Sequence, residues 1–208
     1  MSGKIAGAVA LAVMLSSSLT GLADDPGRTT LAVVGSTDEE YFPLKVGTTW
    51  EYKFDNGQTQ KRSIVKKELF DGILCARMET MNGGVVTSHS HLSAMRDGIY
   101  QWSLGDNKMN PPRHQLKFPV RVGDAWRSDA KYAERSLNES YKIAGRENVN
   151  VPAGNYRNAL FIVNDTERDG PKRAYKLWYA RGVGLVRLES DFGGRKLTLE
   201  LTKFTPGK

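Results

Sequence analysis

Phe42-Pro43-Leu44-Lys45-Val46-Gly47-Thr48-Thr49-Trp50 returns later in the chain as Phe118-Pro119-Val120-Arg121-Val122-Gly123-Asp124-Ala125-Trp126. The two segments stand 76 residues apart, with five identities and two conservative matches in nine positions. Each element has a mechanical reading. Proline sets the chain entering a turn, and glycine takes a backbone angle that other residues resist. The tryptophan three residues on opens a strand with a ring large enough to plug one end of a core. The repeat therefore divides the chain into two similar halves, about 41–105 and 117–204, each opened by a Pro-bearing turn and a Trp-bearing strand.

Period-two patterning follows. Trp50, Tyr52 and Phe54 alternate with Glu51 and Lys53, and Tyr100, Trp102 and Leu104 with Gln101 and Ser103. Leu197, Leu199 and Leu201 alternate with Thr198, Glu200 and Thr202 behind a Gly193-Gly194 turn. In each case the apolar set is expected to face the core. Ala159-Leu160-Phe161-Ile162-Val163 is apolar on both faces and is expected to be a central strand. Further strands are expected at 61–69, 85–94, 140–148, 172–180 and 185–191, between turn signals such as Asp71-Gly72, Asp97-Gly98 and Asp169-Gly170-Pro171. The stretch 107–114 carries two prolines and is expected to link the halves, with a lid over a cavity as the alternative. The fold class is all-β: an antiparallel meander of about ten strands, curled into a half-barrel, a barrel or a sandwich. It forms one domain, 41–208, behind a flexible tail at 24–40.

Residues 1–23 have the makeup of a secretory signal peptide. Lys4 supplies the positive start, Ile5 to Leu15 the apolar stretch, and Gly21-Leu22-Ala23 the small residues of a cleavage site before Asp24. The protein is thus expected to be exported, to the periplasm or the exterior, with no transmembrane segment after cleavage. Cys75 is the only cysteine, so no thiol near the cleavage site is available for lipid attachment and no internal disulfide can form. Within Ile73-Leu74-Cys75-Ala76 it is expected to be a buried small hydrophobe. Thirty Lys and Arg against 23 Asp and Glu give a net charge of +7. That balance favours anionic partners such as a surface polymer. The basic residues are scattered and no stacking-aromatic motif accompanies them, so nucleic acid is not expected as a partner.

The usual chemical signatures are missing: no G-x-S-x-G, H-E-x-x-H or C-x-x-C occurs. Gly182-Val183-Gly184 has the opening of a dinucleotide loop, but Arg187 stands where the third glycine is needed. His89 and His91 share one strand face and form a weak candidate metal pair, with His114 elsewhere in the chain. Glu79, Glu134, Glu147, Asp165, Glu167 and Glu189 are carboxylates that only folding can pair. No catalytic residue and no cofactor is expected. Trp50, Tyr52, Trp102, Trp126, Trp178 and Tyr179 form the aromatic load on alternating strands and are the candidate lining of a ligand concavity. The leading expectation is a non-enzymatic envelope module that binds a lipid or other amphipathic small molecule. The alternatives are an interaction or structural module that docks on an envelope protein, and a hydrolase.

Three segments carry a resemblance: Tyr41 through Tyr52, Val149-Asn150-Val151-Pro152-Ala153-Gly154-Asn155-Tyr156, and Trp178-Tyr179-Ala180-Arg181-Gly182-Val183-Gly184-Leu185-Val186. Their order is similar to that in uncharacterised secreted bacterial β domains, some of which resemble in architecture the unclosed barrels of lipoprotein-localisation carriers. The resemblance implies an exported β fold and a lipid-binding role. It brings no catalytic residue.

Overall fold

The computed structural model describes residues 37–168, 172–192 and 194–208. The leader at 1–23, the tail up to residue 36, the Asp169-Gly170-Pro171 turn and Gly193 lie outside the described residues. A short 3-10 helix, Thr37–Tyr41, precedes twelve strands. The first six are β1 Thr49–Phe54, β2 Thr59–Phe70, β3 Ile73–Asn82, β4 Val85–Met95, β5 Gly98–Leu104 and β6 Asn107–Lys117. The second six are β7 Ala125–Tyr132, β8 Arg135–Val151, β9 Gly154–Arg168, β10 Lys172–Ala180, β11 Gly184–Phe192 and β12 Arg195–Thr205.

All twelve belong to one antiparallel sheet, in the order β6-β5-β4-β3-β2-β1-β12-β11-β10-β9-β8-β7. Its two outer strands, β6 and β7, lie side by side, so the meander curls into a nearly closed barrel. The count exceeds the expected ten chiefly because 107–117 is a strand and not a linker. Its prolines, Pro111 and Pro112, lack an N–H, which an edge strand tolerates and a central strand does not.

The two motifs make the same turn. Gly47 N–H donates to Ile64 O at 2.8 Å, and Ile64 N–H donates to Thr48 O at 2.9 Å. Gly123 N–H donates to Ile143 O at 2.8 Å, and Ile143 N–H donates to Asp124 O at 2.9 Å. Both glycines have φ in the left-handed region, +89° and +95°, where a Cβ would be strained. Trp50 and Trp126 are both buried. Six strands follow each turn, and β1 pairs with β12 where one half meets the other. The matching junction, β6 with β7, has no backbone ladder. Side chains close it instead: Trp126 Nε1 donates to His114 O at 3.0 Å, and His114 N–H donates to Ser128 Oγ at 2.9 Å.

One end of the barrel is capped. Glu40 O accepts from Gly182 N–H at 2.9 Å, and Asp38 Oδ2 accepts from Val120 N–H at 2.9 Å, so the 3-10 segment spans from the β10–β11 turn to the β6–β7 connection. Tyr41 enters the core below it, with Phe42 and Leu44 against the same cluster of Phe118, Trp126, Tyr179 and Leu185. A second cluster joins Trp50, Tyr52, Val186, Leu199 and Leu201 to Val149, Val151 and Ala159. The β8–β9 hairpin brings the latter three over, and Ala153 N–H at its tip donates to Leu201 O on β12 at 3.0 Å. Cys75 is buried, and desolvation pushes its thiol up to about 11.

One face assignment is reversed in part. On β5 the polar residues Gln101 and Ser103 are buried, while Tyr100, Trp102 and Leu104 are half-buried. Gln101 faces a polar part of the interior and Trp102 lies outside, its Nε1 donating to Ser93 Oγ at 2.7 Å. The register shifts between Gln101 and Ser103, so Ser103 turns to His91 on the outer face while Leu104 lines the cavity.

Gly98 is the tightest backbone position in β5. A Cβ there meets His114 Nε2 and Leu116 O, both at 2.2 Å. Gly98→Ala is expected to cost about 2 kcal/mol or more in urea unfolding, from overpacking plus strain. Gly57→Ala, at φ +86° with nothing within 4 Å, should cost about half as much. Equal losses would contradict the close approach of β5 and β6.

Candidate ligand-binding site

The barrel encloses a cavity of about 360 Å³. Cross-strand register orders the inward-facing residues into rows around the barrel. Near the capped end, Leu160, Tyr179 and Leu185 stand opposite one another. The next row is Ile143, Ile162, Leu177, Leu188 and Leu199, all apolar. Polarity then rises, through Tyr141, Asn164 and Tyr175 to Glu139, Thr166 and Arg173, and last to Leu137 beside Arg168. The lining reaches Leu104, Tyr132 and Arg168, the final residues of β5, β7 and β9, which form the rim of the other end. The interior is thus apolar at the cap and polar and cationic further along, and at the mouth Arg168 stands beside an apolar cluster of Leu104, Met109, Tyr132 and Leu137.

Four guanidiniums, Arg62, Arg113, Arg168 and Arg173, line the cavity with one carboxylate, Glu139, among the described residues. Arg113 on β6 forks onto Glu139 on β8, with Nε to Oε2 at 2.5 Å and Nη2 to Oε1 at 2.7 Å. Its Nη2 also donates to Tyr141 Oη at 3.0 Å. Thr166 Oγ1 donates to Glu139 Oε1 at 3.2 Å, which completes the carboxylate's shell. Desolvation works against the charge on Arg113, but Tyr141 and Glu139 outweigh it and hold the guanidinium above its ordinary range. Arg62 lies over the Tyr52 ring at 5.2 Å, and Arg168 over the Tyr132 ring at 5.3 Å. Burial raises the Tyr52 and Tyr141 hydroxyls, so both stay protonated, and Tyr52 donates to Leu185 O at 3.0 Å.

Of the six aromatics expected to line a concavity, Trp50, Tyr52 and Tyr179 do so. Trp126 is packed in the seam, stacked on Tyr141 at 4.8 Å. Trp178 stacks on Phe161 at 5.0 Å and donates to Glu147 Oε2 at 2.7 Å, away from the cavity. Trp102 is on the outer face. The residues missed from sequence are Arg113, Glu139, Arg168 and Arg173. They carry a signal, because each is in phase with an apolar set: Glu139 with Leu137, Tyr141 and Ile143, and Arg173 with Tyr175, Leu177 and Tyr179. A charge in the buried phase of an alternating strand marks an interior that is not wholly apolar.

His89 and His91 come together on the outside, their rings 5.7 Å apart. Both ring nitrogens of His91 are engaged: Nδ1 with Ser103 Oγ at 2.7 Å and Nε2 with Glu68 Oε1 at 3.0 Å. His89 Nε2 faces Asp106 Oδ1 at 3.4 Å. Among the described residues no group of three His, Cys, Asp or Glu side chains is placed to hold a metal ion. The order Glu68, His91, Ser103 is that of a hydrolase triad. Ser103 is wholly buried, however, lies outside the cavity lining, and also accepts the His91 main-chain N–H at 3.2 Å, so its oxygen has no access to a substrate. Hydrogen bonds from Lys66 and then from His91 hold the Glu68 carboxyl down at about 2. The carboxylates Glu79 and Glu189 pair with Arg77 and Arg187, and none of the six named from sequence lines the cavity.

Fold and site together define an antiparallel β-barrel with one capped end and a ligand-sized, graded interior. No protein-family model and no curated protein matches the chain. Among solved structures it is similar to a candidate lipoprotein from Parabacteroides distasonis, at 13% identity and a TM-score of 0.53, over 79% of this chain and 98% of that one. It is similar also to a candidate exported protein with a YmcC-like fold from Bacteroides fragilis, at 12% identity and a TM-score of 0.50, with the same coverage. At these identities the likeness is one of fold.

The Arg113–Glu139 pair is unevenly covered. Glu139 is 2% exposed, whereas the Arg113 side chain keeps 28% of its surface. Arg113→Met strands a buried carboxylate and should cost about 3–5 kcal/mol in urea unfolding. Glu139→Gln leaves a guanidinium that water reaches, and should cost about 2 kcal/mol less than that. The opposite ranking would mean the seam is not held in this way.

The seam also titrates. Desolvation lowers the His114 pKa, against the pull of Asp97, and its buried Nε2 has no hydrogen-bond partner. A histidine whose folded pKa lies below its unfolded value binds fewer protons when folded, so stability is complete above about 6.5 and declines as pH falls through that value. Unfolding free energy should therefore drop from pH 7.5 to 5.5, and His114→Gln should remove part of that slope. An unchanged slope in the variant would place the titration elsewhere.

Proposed function

We propose that this chain is an exported, non-enzymatic binding protein that holds one small amphipathic molecule inside its barrel. The observation that carries the reading is the graded cavity, apolar rows behind the cap and polar rows further along. A volume of about 360 Å³ falls at the lower end of the range of about 300–1,000 Å³ usual for small-molecule sites. It suits a single chain with a head group better than a two-chain lipid. The signal-like leader supports export, as do the descriptions of the similar structures as a candidate lipoprotein and a candidate exported protein. A docking module is the second reading, favoured by Leu69 and Leu74, which face each other across β2 and β3 and are both exposed.

The test is to purify the exported protein without detergent and record its native mass before and after organic extraction. N-phenyl-1-naphthylamine is then titrated into the extracted protein. One equivalent of a small molecule, or saturable dye binding at one site, is expected. Ser88→Trp puts a bulky ring into the lining near the rim and should weaken dye binding about tenfold or more, with the circular dichroism spectrum intact. A clean mass together with no dye uptake would end the carrier reading and leave the docking module.

A further inference from the structure

We infer that the bound molecule carries an oxyanion, a carboxylate or phosphate group, and that Arg62 holds it together with the hydroxyls of Thr80 and Ser88. This rests on the reading of the cavity as a binding site and adds the chemistry it selects. The three residues form one row on neighbouring strands. Arg62 on β2 pairs with Thr80 on β3, Thr80 pairs with Ser88 on β4, and all three line the cavity. Directly opposed residues have Cβ atoms about 4.5–5.5 Å apart, so a long guanidinium side chain and two hydroxyls can converge on one small group.

Arg62 is held in place without being neutralised. Its Nε donates to Gln60 Oε1 at 2.9 Å, and Gln60 Nε2 donates to Asn82 Oδ1 at 3.4 Å. Its Cζ lies 5.2 Å from the centre of the Tyr52 ring, and Tyr52 is itself fixed by the bond to Leu185 O. Among the described residues no carboxylate pairs with Arg62, and its Nη1 and Nη2 make no hydrogen bond. The Thr80 and Ser88 hydroxyls likewise have no hydrogen-bond partner among the described residues; it is the Thr80 main-chain oxygen that accepts from Thr87.

Much of the remaining polar lining is bonded to itself. Arg113 and Thr166 occupy Glu139. Gln101 Nε2 donates to Ser90 Oγ at 2.9 Å, and its Oε1 accepts from Gln115 Nε2 at 2.6 Å. The row on β2, β3 and β4 instead presents unbonded donors to the cavity. A guanidinium only donates, and a hydroxyl can donate, so the row suits a group that only accepts. Charge-assisted hydrogen bonds of this kind are about twice as strong as neutral ones. A cationic group is repelled by Arg62, and a neutral one covers the guanidinium without compensating its charge, which is unfavourable in a partly dehydrated site. Leu177, Leu185 and Leu188 line the same cavity from β10 and β11 and give the rest of the molecule its apolar surface.

The experiment is calorimetric titration of the extracted protein with four twelve-carbon probes below their micelle concentrations: dodecanoate, dodecyl phosphate, dodecyldimethylamine oxide and dodecyltrimethylammonium. Inorganic phosphate is the chainless control. Dodecanoate and dodecyl phosphate should bind about tenfold tighter or more than the amine oxide and the cation, with the difference shrinking as salt rises. Inorganic phosphate should bind about tenfold more weakly than dodecyl phosphate. Arg62→Gln should weaken the two anionic probes about tenfold and the amine oxide less than about threefold, and Thr80→Val, which keeps the side-chain shape, should weaken the anionic probes about threefold. Lys61→Gln removes the same charge from the exposed neighbour on the outer face of β2 and should leave all four within about twofold. Equal binding of all four by the unmodified protein would overturn the oxyanion assignment and leave the amphipath reading standing. An anionic preference that survives Arg62→Gln, or that Lys61→Gln reduces as much, would overturn the row as its source. Inorganic phosphate bound as tightly as dodecyl phosphate would overturn the role of the chain. Binding of none would overturn both readings.

Discussion

Arg113 reaches from β6 across an unladdered junction to Glu139 and Tyr141 on β8, and the closure of the barrel depends on that reach. Eleven strand pairs are held by backbone hydrogen bonds, which are regular and indifferent to side chain. The twelfth contact is not. It is made by a charged fork, a tryptophan and a serine bonded to His114, and two stacked ring pairs, Tyr100 with His114 and Trp126 with Tyr141, joined by a tilted His114–Trp126 contact. A charged pair set at such a junction gains its energy only when both partners are in place, so it selects one closure more than it stabilises the chain.

The repeat explains why the junction lies there. Two six-strand halves in tandem offer two places where one half meets the other. The first, β12 with β1, forms an ordinary ladder. The second falls at the chain's own crossover from β6 to β7, where Pro111 and Pro112 have removed donors and Phe118 leads into the repeated turn. Similar halves can close with dissimilar seams because the turn motif specifies how each half begins and not how its last strand pairs.

Closure also shapes the interior. A barrel of this size leaves space along its axis, and what fills or lines it depends on the inward phase of every strand. Here the inward phases are leucine, isoleucine and tyrosine toward the cap, then asparagine, threonine, glutamate and arginine, with Leu104, Met109, Tyr132 and Leu137 beside Arg168 at the rim. The 3-10 segment, with Tyr41 and Phe42 below it, seals the apolar end. The outside holds the features that first attract notice in the sequence: the histidine pair is tied into a network with Glu68, Ser103 and Asp106, and Trp102 and Trp178 bond to side chains away from the cavity.

The alternating strands, the glycine turns and the duplicated motif are local facts, because period and turn angle depend on residues a few positions apart. They made the all-β meander legible; Trp50, Tyr52 and Tyr179, three of the aromatics they singled out, border the cavity. The same alternation misassigned β5, since period two reports that a strand has two faces and not which one is inward. Gln101 faces in because the interior beside it is polar, a property set by Arg113 and Glu139 from strands far along the chain. Proline at 111 and 112 read as a linker because its missing donor is compatible with a strand only at an edge, and edges exist only once the sheet is assembled. The chain's own residues thus determined the strands and their turns. Tertiary structure alone decided that the sheet closes, which face of β5 looks inward, and that Arg168 and Arg173, neighbours by register across a hairpin, share one rim.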